Sequence, residues 1–531
     1  MEEFRGEGAE RVSETTKQQN LRRPLSRDLH QNLKRIQTTF ESSHDVVIRQ
    51  LKLGAHEEPI VIAYTDGLAD AKAVNEFILD ALTSNGSRFV EQAAERSPEK
   101  LYEALYTSIL TGGELKRITD FQQLFLAIMT GETVVLLNGC EKALAVSTKG
   151  WKDRGVTEPA VQNVLRGPRE SFSESLRTNT ALVRRRIRDE NLCCEQRQIG
   201  RVTKTDIAVM YIKGIADEGV VAELYKRLDR IDIDGILESG YIEEFIQDAT
   251  WTPFPTVYNT ERPDIVAAAM LEGRVAILVD GTPFALLIPV LFGQFFQAAE
   301  DYYERSIVST LLRLMRYMSL FVALLAPSSY IAITTFHQEM LPTQLLISLA
   351  SQREGIPFPA FVEAVIMEVM FEVLREAGIR MPRPMGQAIS IVGALVIGQA
   401  AVEAGFVSAA MVIVVAITAI SNFVFPAYNM AIPIRILRFL MMVLAATFGL
   451  FGITMGLIVI VLHLCSLRSF GVAYMAPFSP MKFQHQKDMF MRAPHWALNE
   501  RPDEIAKENK IRNKTPKPSN PSEETEKKGN S

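Results

Sequence analysis

The pattern of hydrophobic and polar positions divides the chain into a soluble part, a helical membrane part and a polar tail. From Asp45 to Ile288, short β-branched runs such as Val46–Leu53 and Val134–Leu137 alternate with amphipathic stretches such as Ala71–Leu82. Alternation of these two periodicities predicts an α/β domain. Residues 1–40 are polar and lack an apolar run of signal-peptide length, so we expect a disordered segment followed by a cytoplasmic domain.

Two pairs of similar segments indicate that the soluble domain is duplicated. Tyr64–Asp70 resembles Tyr211–Asp217, and Gly131–Gly139 resembles Gly273–Gly281, in the same order and at nearly the same spacing. Each member of the first pair follows a β-branched run and precedes an amphipathic helix. The sequence therefore predicts two similar tandem subdomains.

Asp66, Gly67 and Asp70 in the first repeat admit two interpretations. One is a metal or phosphate loop. We favour the other, a strand-to-helix turn in which Gly67 supplies the turn and Asp70 caps the helix, with Gly214 in the equivalent turn of the second repeat. The sequence contains no P-loop, zinc motif, nucleophile elbow or dinucleotide fingerprint. We therefore expect no enzyme activity, no bound metal and no cofactor.

A basic run, Arg184–Arg188, lies in a helical connector between the two repeats. We interpret it as a solvated helix face or a subunit contact, with a lipid-headgroup patch as the alternative. The net charge of −5 gives no nucleic-acid footprint. The four cysteines are too few for a disulfide scaffold, so we expect reduced thiols.

Four apolar stretches in the C-terminal half are long enough to cross a membrane. A hydrocarbon core of about 30 Å requires about 20 apolar residues. The stretches cover approximately 314–336, 386–405, 406–425 and 434–464. Four crossings place the soluble domain and the tail on one side, and flanking lysines and arginines indicate that this side is cytoplasmic.

Two features argue against a simple four-span topology. Arg435 and Arg438 fall on the outer side in that arrangement. A further crossing by Phe361–Leu374 stays open, although its glutamates would face lipid at a cost.

These patterns predict the domain organisation. The fold class is an α/β soluble domain of two similar tandem subdomains followed by an all-α transmembrane domain. The predicted parts are a disordered segment (1–40), soluble subdomain 1 (41–150), a helical connector (151–199), soluble subdomain 2 (200–290), the transmembrane domain (291–465) and a polar cytoplasmic tail (466–531) that is disordered after about 500.

The second predicted span has two different faces at 100° per residue. The candidate pore-lining face comprises Val392, Val396, Gln399 and Glu403. The opposite face, a small-residue stripe suited to helix packing, comprises Ala394, Gly398, Ala401 and Gly405. A repeated Glu403 would form a carboxylate ring that attracts cations, and four spans would place it at the cytoplasmic mouth. The alternatives are a helix packed inside one protomer and a Glu403 that lies beyond the hydrocarbon.

Several segments resemble one known family, the A subunits of the GerA-type spore germinant receptors. The resemblance extends from about 40 to 500. The segments that carry it are Gly200–Gly214, Thr252–Pro263, Leu271–Gly281, Glu300–Arg305, Pro384–Gln399 and Ala476–Pro480. Their accumulation in the family's order makes the resemblance specific.

The resemblance implies a location and a function that the residue pattern does not. Such proteins sit in the inner membrane of bacterial spores beside a transporter-like B subunit and a lipoprotein C subunit, and they trigger germination with early release of monovalent cations. The A subunit is then expected to be a homo-oligomeric, pentameric cation channel gated by the nutrient sensor. A non-conducting scaffold is the alternative, and a secondary transporter ranks below it because transporters usually have more spans.

Overall fold

The computed structural model describes residues 23–53, 58–82, 97–110, 114–150, 158–159, 162, 164–381, 398–507 and 509–518. In them the chain forms two five-stranded antiparallel sheets, a set of packed helices and a tail that returns to the second subdomain. A soluble α/β part followed by a helical part confirms the predicted fold class.

The first subdomain is a sheet with helices on both faces. Helices α1 and α4 pack on one face and α2 and α3 on the other, so the central strands β2 and β4 are buried. The predicted disorder of residues 1–40 and the predicted start of this subdomain at 41 are wrong for α1, because its apolar face packs into the core. The strands are β1 (Val46–Leu53), β2 (Glu58–Thr65), β3 (Leu115–Ile118), β4 (Thr133–Leu137) and β5 (Ala143–Val146). The helices are α1 (Leu29–Thr39), α2 (Ala71–Val74, continued as a π-helix over Asn75–Leu79), α3 (Pro98–Ala104, continued as a π-helix over Leu105–Ile109) and α4 (Phe121–Met129).

The second subdomain repeats this topology. The spatial order is β1-β2-β4-β5-β3 in the first sheet and β6-β7-β9-β10-β8 in the second, with every pair antiparallel. The strands are β6 (Leu192–Ile199), β7 (Thr205–Ile212), β8 (Tyr258–Thr260), β9 (Val275–Val279) and β10 (Ala285–Ile288). The helices are α5 (Leu176–Arg186), α6 (Glu218–Leu228), α7 (Ser239–Ile246) and α8 (Pro263–Leu271). The identical strand order of the two sheets confirms the predicted duplication.

The repeated turns have the same local cause in both subdomains. Gly67 and Gly214 have φ values of +84° and +81°, a region that favours glycine. The carboxylates of Asp70 and Asp217 cap the following helices, each accepting a hydrogen bond from the backbone N–H two residues later at 2.9 and 2.8 Å. The capped turn, rather than a metal loop, is therefore the correct interpretation.

The connector is shorter than the sequence pattern indicates. The predicted boundary at 200 is wrong, because the first strand of the second sheet, β6, begins at Leu192. This strand lies at the sheet edge, and its second half alternates exposed and half-buried residues. Its polar composition is typical of a connector and not of a buried strand.

Arg184 in the basic run does not belong to a solvated face. Its side chain is fully buried, and its guanidinium donates to Asp45 Oδ1 at 2.6 Å and to the Leu192 carbonyl at 3.0 Å. Arg186 pairs with Glu170 at 2.9 Å. The predicted solvent exposure is wrong for Arg184 because this residue joins the first subdomain to the second through a paired, buried charge.

The helical domain follows the second subdomain and shares a continuous apolar core with it. Its described helices are α9 (Ser306–Phe336), α10 (Thr343–Arg353), α11 (Ala360–Arg380), α12 (Gly398–Glu403), α13 (Ala409–Asn422) and α14 (Tyr428–Ser466). By length and composition, α9 and α14 are the two described helices that could each cross a membrane.

Helix α14 is a hairpin and not a single rod. Gly449 has φ +62° and ψ −141°, which are not helical values. A methyl group at Gly456 would lie 2.6 Å from the Met441 sulfur, although 15 residues of straight helix would separate the two by about 22 Å. The predicted single span at 434–464 is therefore two antiparallel segments that turn at Gly449.

The helical domain has two distinguishable ends, which we call the junction end and the distal end. At the junction end, α9 begins beside the second subdomain, and His463 near the end of α14 lies 2.8 Å from the Thr252 hydroxyl. Helix α9 then extends about 45 Å. At the distal end His337 packs against Gly449.

The tail contacts the second subdomain as far as Arg512, which lies 3.4 Å from Glu272. A short hairpin, β11 (Arg468–Ser469) and β12 (Val472–Ala473), leads into it. The predicted disorder after about 500 does not fit the contacts that follow, because the buried Arg501 donates to the Leu271 carbonyl at 2.7 Å. The soluble domain and the tail thus lie at the same end of the helical domain.

Candidate functional site: buried charges at and within the helical domain

The first group of buried charges, the junction cluster, consists of Asp301, Arg313, Arg316 and Asp488. Asp301 precedes α9, and Arg313 and Arg316 lie on one face of that helix because they are three residues apart. Arg313 Nε donates to Asp301 Oδ2 at 2.9 Å, and Arg316 Nη1 donates to the same oxygen at 2.7 Å. One carboxylate is therefore shared by two buried arginines, and Asp488 and Glu300 supply further negative charge.

The tail closes the junction cluster from the other side. Arg313 Nη1 donates to Asp488 Oδ1 at 3.0 Å and to the Asp488 carbonyl. The Tyr302 hydroxyl donates to Asp488 Oδ2, also at 3.0 Å. The cluster therefore ties three parts of the chain together: the segment before α9, α9 itself and the tail.

The second group, the helical-domain network, consists of Glu368 and Glu372 on α11 with Arg435 and Arg438 on α14. Arg438 Nη1 lies 3.1 Å from Glu368 Oε2, and both side chains are almost fully buried. Arg435 Nη1 lies 2.9 Å from Glu372 Oε2. Glu368 and Glu372, which would be costly toward lipid, instead face arginines of the neighbouring helix α14. These arginines, Arg435 and Arg438, are the two that argue against the predicted four-span topology.

The direction of α11 follows from these pairs. Near its start, Glu363 Oε2 accepts a hydrogen bond from the Ser408 backbone N–H at 2.9 Å, and Ser408 lies beside Tyr330 toward the distal end of α9. Farther along, Glu372 reaches Arg435, close to the junction end. Helix α11 therefore runs back through the domain from the distal end.

This extra passage changes the place of the predicted pore residues. Val392, Val396 and Ala394 lie outside the described residues. A methyl group at Gly405 would lie 3.5 Å from the Gly355 carbonyl, so Gly405 and its neighbour Glu403 are at the distal end. The predicted position of Glu403, at the same end as the soluble domain, is wrong because the four-span count omitted α11.

The described part of the predicted pore helix has an exposed polar face and a packed small-residue face. Gln399 and Glu403 are exposed, and Gln399 Nε2 donates to Glu403 Oε1 at 2.9 Å. Gly398 is buried against α13, and a methyl group there would contact Val412 at 3.5 Å. Ala401 packs against the main core. Neither polar side chain bonds to another helix among the residues described.

Reasoning from the sequence missed both charged groups. Arg313 and Arg316 indicate topology in the sequence pattern, but their three-residue spacing on a largely apolar helix also indicates one shared, buried partner. The pairing of α11 with α14 had no comparable local signal, because it joins residues far apart in sequence. Within the described ranges, no group of three or more histidine, cysteine, aspartate or glutamate residues could hold a metal ion.

A duplicated α/β domain joined through buried ion pairs to a helical domain with charged residues in its interior defines a class: proteins in which a soluble domain is connected to long apolar helices. Residues 34–504 match the sequence model of the family described as "Bacillus/Clostridium GerA spore germination protein". The chain belongs to this family.

Two curated relatives and one solved structure illustrate the similarity. Spore germination protein KA of Bacillus subtilis (strain 168) is 48% identical over 498 residues, which cover 93% of this chain and 90% of that protein. Spore germination protein B1 of the same strain is 38% identical over 488 residues, covering 92% and 99%. The crystal structure of the N-terminal domain of the A subunit of the Bacillus megaterium spore germinant receptor GerK3 is 39% identical. It covers 51% of this chain and 98% of that chain, with a TM-score of 0.40.

Proposed function

We propose that this chain is the A-type membrane subunit of a nutrient germinant receptor and forms, as a homo-oligomer, a cation channel in the inner spore membrane. The names of its full-length relatives support a role in spore germination. Its soluble domain lies in the cytoplasm, and it works without catalysis beside a transporter-like B subunit and a lipoprotein C subunit. A pentamer is the working stoichiometry.

The observation that carries the pore proposal is the two-faced helix α12. Its small-residue side packs inside the protomer, whereas Gln399 and Glu403 point away from the described helices. A polar face directed away from its own protomer is costly against lipid and favourable around a water-filled axis. In this arrangement Glu403 forms a carboxylate ring at the mouth opposite the soluble domain, and Val392 and Val396 line the pore deeper in the membrane.

The helical-domain network supplies the element that changes state. Charged side chains inside a membrane domain are rare and often mark ion pathways or sensors. Arg438 lies within reach of two carboxylates, Glu368 at 3.1 Å and Glu372 at 3.6 Å, so it can exchange partners with a small movement. We propose that this exchange shifts the balance between closed and open states when the sensor subunit binds nutrient.

The test is reconstitution of the purified chain into planar bilayers. The parent should show cation-selective currents, and Glu403→Gln should lower single-channel cation conductance severalfold because it removes one charge per subunit from the ring and little volume. Glu244→Gln, the same change at an exposed position of the soluble domain, serves as the matched control and should leave conductance unchanged.

Two results would redirect the proposal. A parent protein that inserts and oligomerises but carries no current is a scaffold that couples the sensor to other effectors. Currents that Glu403→Gln leaves unaltered place the pore elsewhere, with α11 as the next helix to examine.

A further inference from the structure

A cavity of about 340 Å³ lies between the second subdomain, the segment before α9 and the tail. Ile265, Ala268, Ala269 and Leu287 give it an apolar side. The polar side is formed mainly by Glu272, Arg274, Gln294, Gln297, Tyr302 and Arg512. An apolar wall opposite a few polar groups, at a volume in the range of small-molecule pockets, is the usual composition of a ligand site.

Arg274 is the most unusual of these lining residues. It is only 3% exposed, yet its Nε has no hydrogen-bond partner in the part of the chain that the structure describes. Its ion pair is to Glu272, at 3.3 Å from Nη2. A buried donor without a partner is costly, and an acceptor bound in the cavity lowers that cost when the guanidinium turns toward it.

The charges around the cavity determine which acceptor fits. Asp264 is already neutralised, because it receives hydrogen bonds from Arg262 and from Tyr303, each at 2.7 Å. Glu272 is shared between Arg274 and Arg512, which lies 3.4 Å away. Two arginines therefore face one remaining carboxylate, and the site carries one uncompensated positive charge.

We propose that this cavity binds a small organic monocarboxylate with an apolar body. The carboxylate accepts from the Arg274 guanidinium and neutralises the surplus charge, and the apolar body lies against α8. Because Tyr302 lines the cavity and also bonds to Asp488, an occupant stabilises the closed junction between the tail and α9. The site is separate from the proposed pore and does not depend on conduction.

The test uses the purified full-length chain in detergent and three probes: hexanoate, its neutral analogue hexanamide, and inorganic phosphate. Calorimetric titration should give one saturable hexanoate site with a Kd on the order of 1 mM or lower. Hexanamide should bind at least about tenfold more weakly, since it lacks the charge. Hexanoate should also raise the thermal unfolding temperature in proportion to its occupancy.

Two variants and one control decide the outcome. Arg274→Gln removes the donor, and Ala268→Phe fills the cavity from an exposed position of α8, so both should abolish hexanoate binding. Ala222→Phe, at an exposed position of α6, should bind like the parent. Parent-like binding by a folded Ala268→Phe variant overturns the proposal, as does the absence of saturable hexanoate binding to the parent. Equal affinity for phosphate and hexanoate would make the site a general anion site and refute the requirement for an apolar body.

Discussion

The junction cluster and the helical-domain network both bury carboxylates against arginines, but they differ in how completely those groups are bonded. At the junction, Asp301 receives hydrogen bonds of 2.7–2.9 Å from two arginines. In the network, both Glu368 oxygens and all three guanidinium nitrogens of Arg438 lack a hydrogen bond of good geometry to any described residue. Their attraction rests on ion-pair distance alone.

This difference separates a fixed element from an adjustable one. A buried pair stabilises a structure when its hydrogen bonds compensate for the lost solvation. The junction comes closer to this than the network does, because among its four residues Arg313 Nη2 is the buried side-chain atom without a partner in the described part of the chain. An incompletely bonded buried network is unfavourable, so a rearrangement that completes its hydrogen bonds lowers the free energy. The junction is therefore the better candidate for a fixed connection between the domains, and the network is the element that the proposed gate would use.

The largest expected effect comes from breaking the junction. Asp301→Asn leaves Arg313 and Arg316 buried without their shared carboxylate, so we expect a loss of about 3–5 kcal/mol in the free energy of unfolding. Thermal unfolding of the purified chain in detergent measures it. Asp232→Asn, at an exposed pair with Arg201, is the control and should cost less than about 1 kcal/mol. Similar costs for the two variants would mean that the junction is not the fixed element.

The hairpin turn that holds Arg438 opposite α11 should be nearly as sensitive. Gly449→Ala would place a methyl group 2.7 Å from the His337 ring at a φ of +62°, and we expect a cost of about 3 kcal/mol. Gly214→Ala has a similar φ of +81° but open space around it, so the backbone strain alone should cost about 1 kcal/mol. If thermal unfolding shows the same loss of stability for Gly449→Ala and Gly214→Ala, the turn at Gly449 is loosely packed.

A smaller effect is expected from neutralising one residue of the network. Glu368→Gln removes an ion pair that has no well-formed hydrogen bonds, so the cost should be about 2 kcal/mol, below that of Asp301→Asn. A double-mutant cycle with Arg438→Gln should give a coupling energy smaller than the one between Asp301 and Arg313. The reverse order of the two coupling energies would remove the distinction between fixed and adjustable regions.

The smallest effect is a pH dependence in the soluble domain. Burial, and secondarily the charge of Glu238, raises the pKa of Glu243 to about 7 from its ordinary 4.5. The folded state then holds a proton that the unfolded state has lost, so this residue's contribution to stability is lost as pH rises from 4.5 to 7. In Glu243→Gln that decline should be absent. If the Glu243→Gln variant shows the same decline in stability between pH 4.5 and 7 as the parent, Glu243 has an ordinary pKa. Its titration would then not contribute to the pH dependence measured for the two clusters.

The sequence predicts the soluble domain well because its signals are local. The repeated glycine turns and the capping aspartates lie within single segments, and they predict the duplicated topology that the sheets show. The polar edge strand β6 was missed because its neighbours, rather than its own pattern, define it as a strand.

The candidate site was less predictable because its chemistry is non-local. Asp301 meets Asp488 through Arg313, and Glu368 meets Arg438, across long stretches of sequence. Hydropathy alone also assigns α14 to a single span, because one glycine is a weak signal for a turn between two apolar segments. Without α11 as a passage through the helical domain, the sequence predicts Glu403 at the junction end, whereas it lies at the distal end.

The measurement that tests the central claim most directly is the open probability of the Glu368→Gln/Arg438→Gln double variant in planar bilayers. Removing both charges leaves neither one buried alone, so the fold should survive and the balance between closed and open states should change. We predict at least a tenfold change in the open-to-closed ratio, equivalent to about 1.4 kcal/mol, with single-channel conductance unaltered. Parent-like gating by a folded double variant would contradict the assignment of this network as the gate.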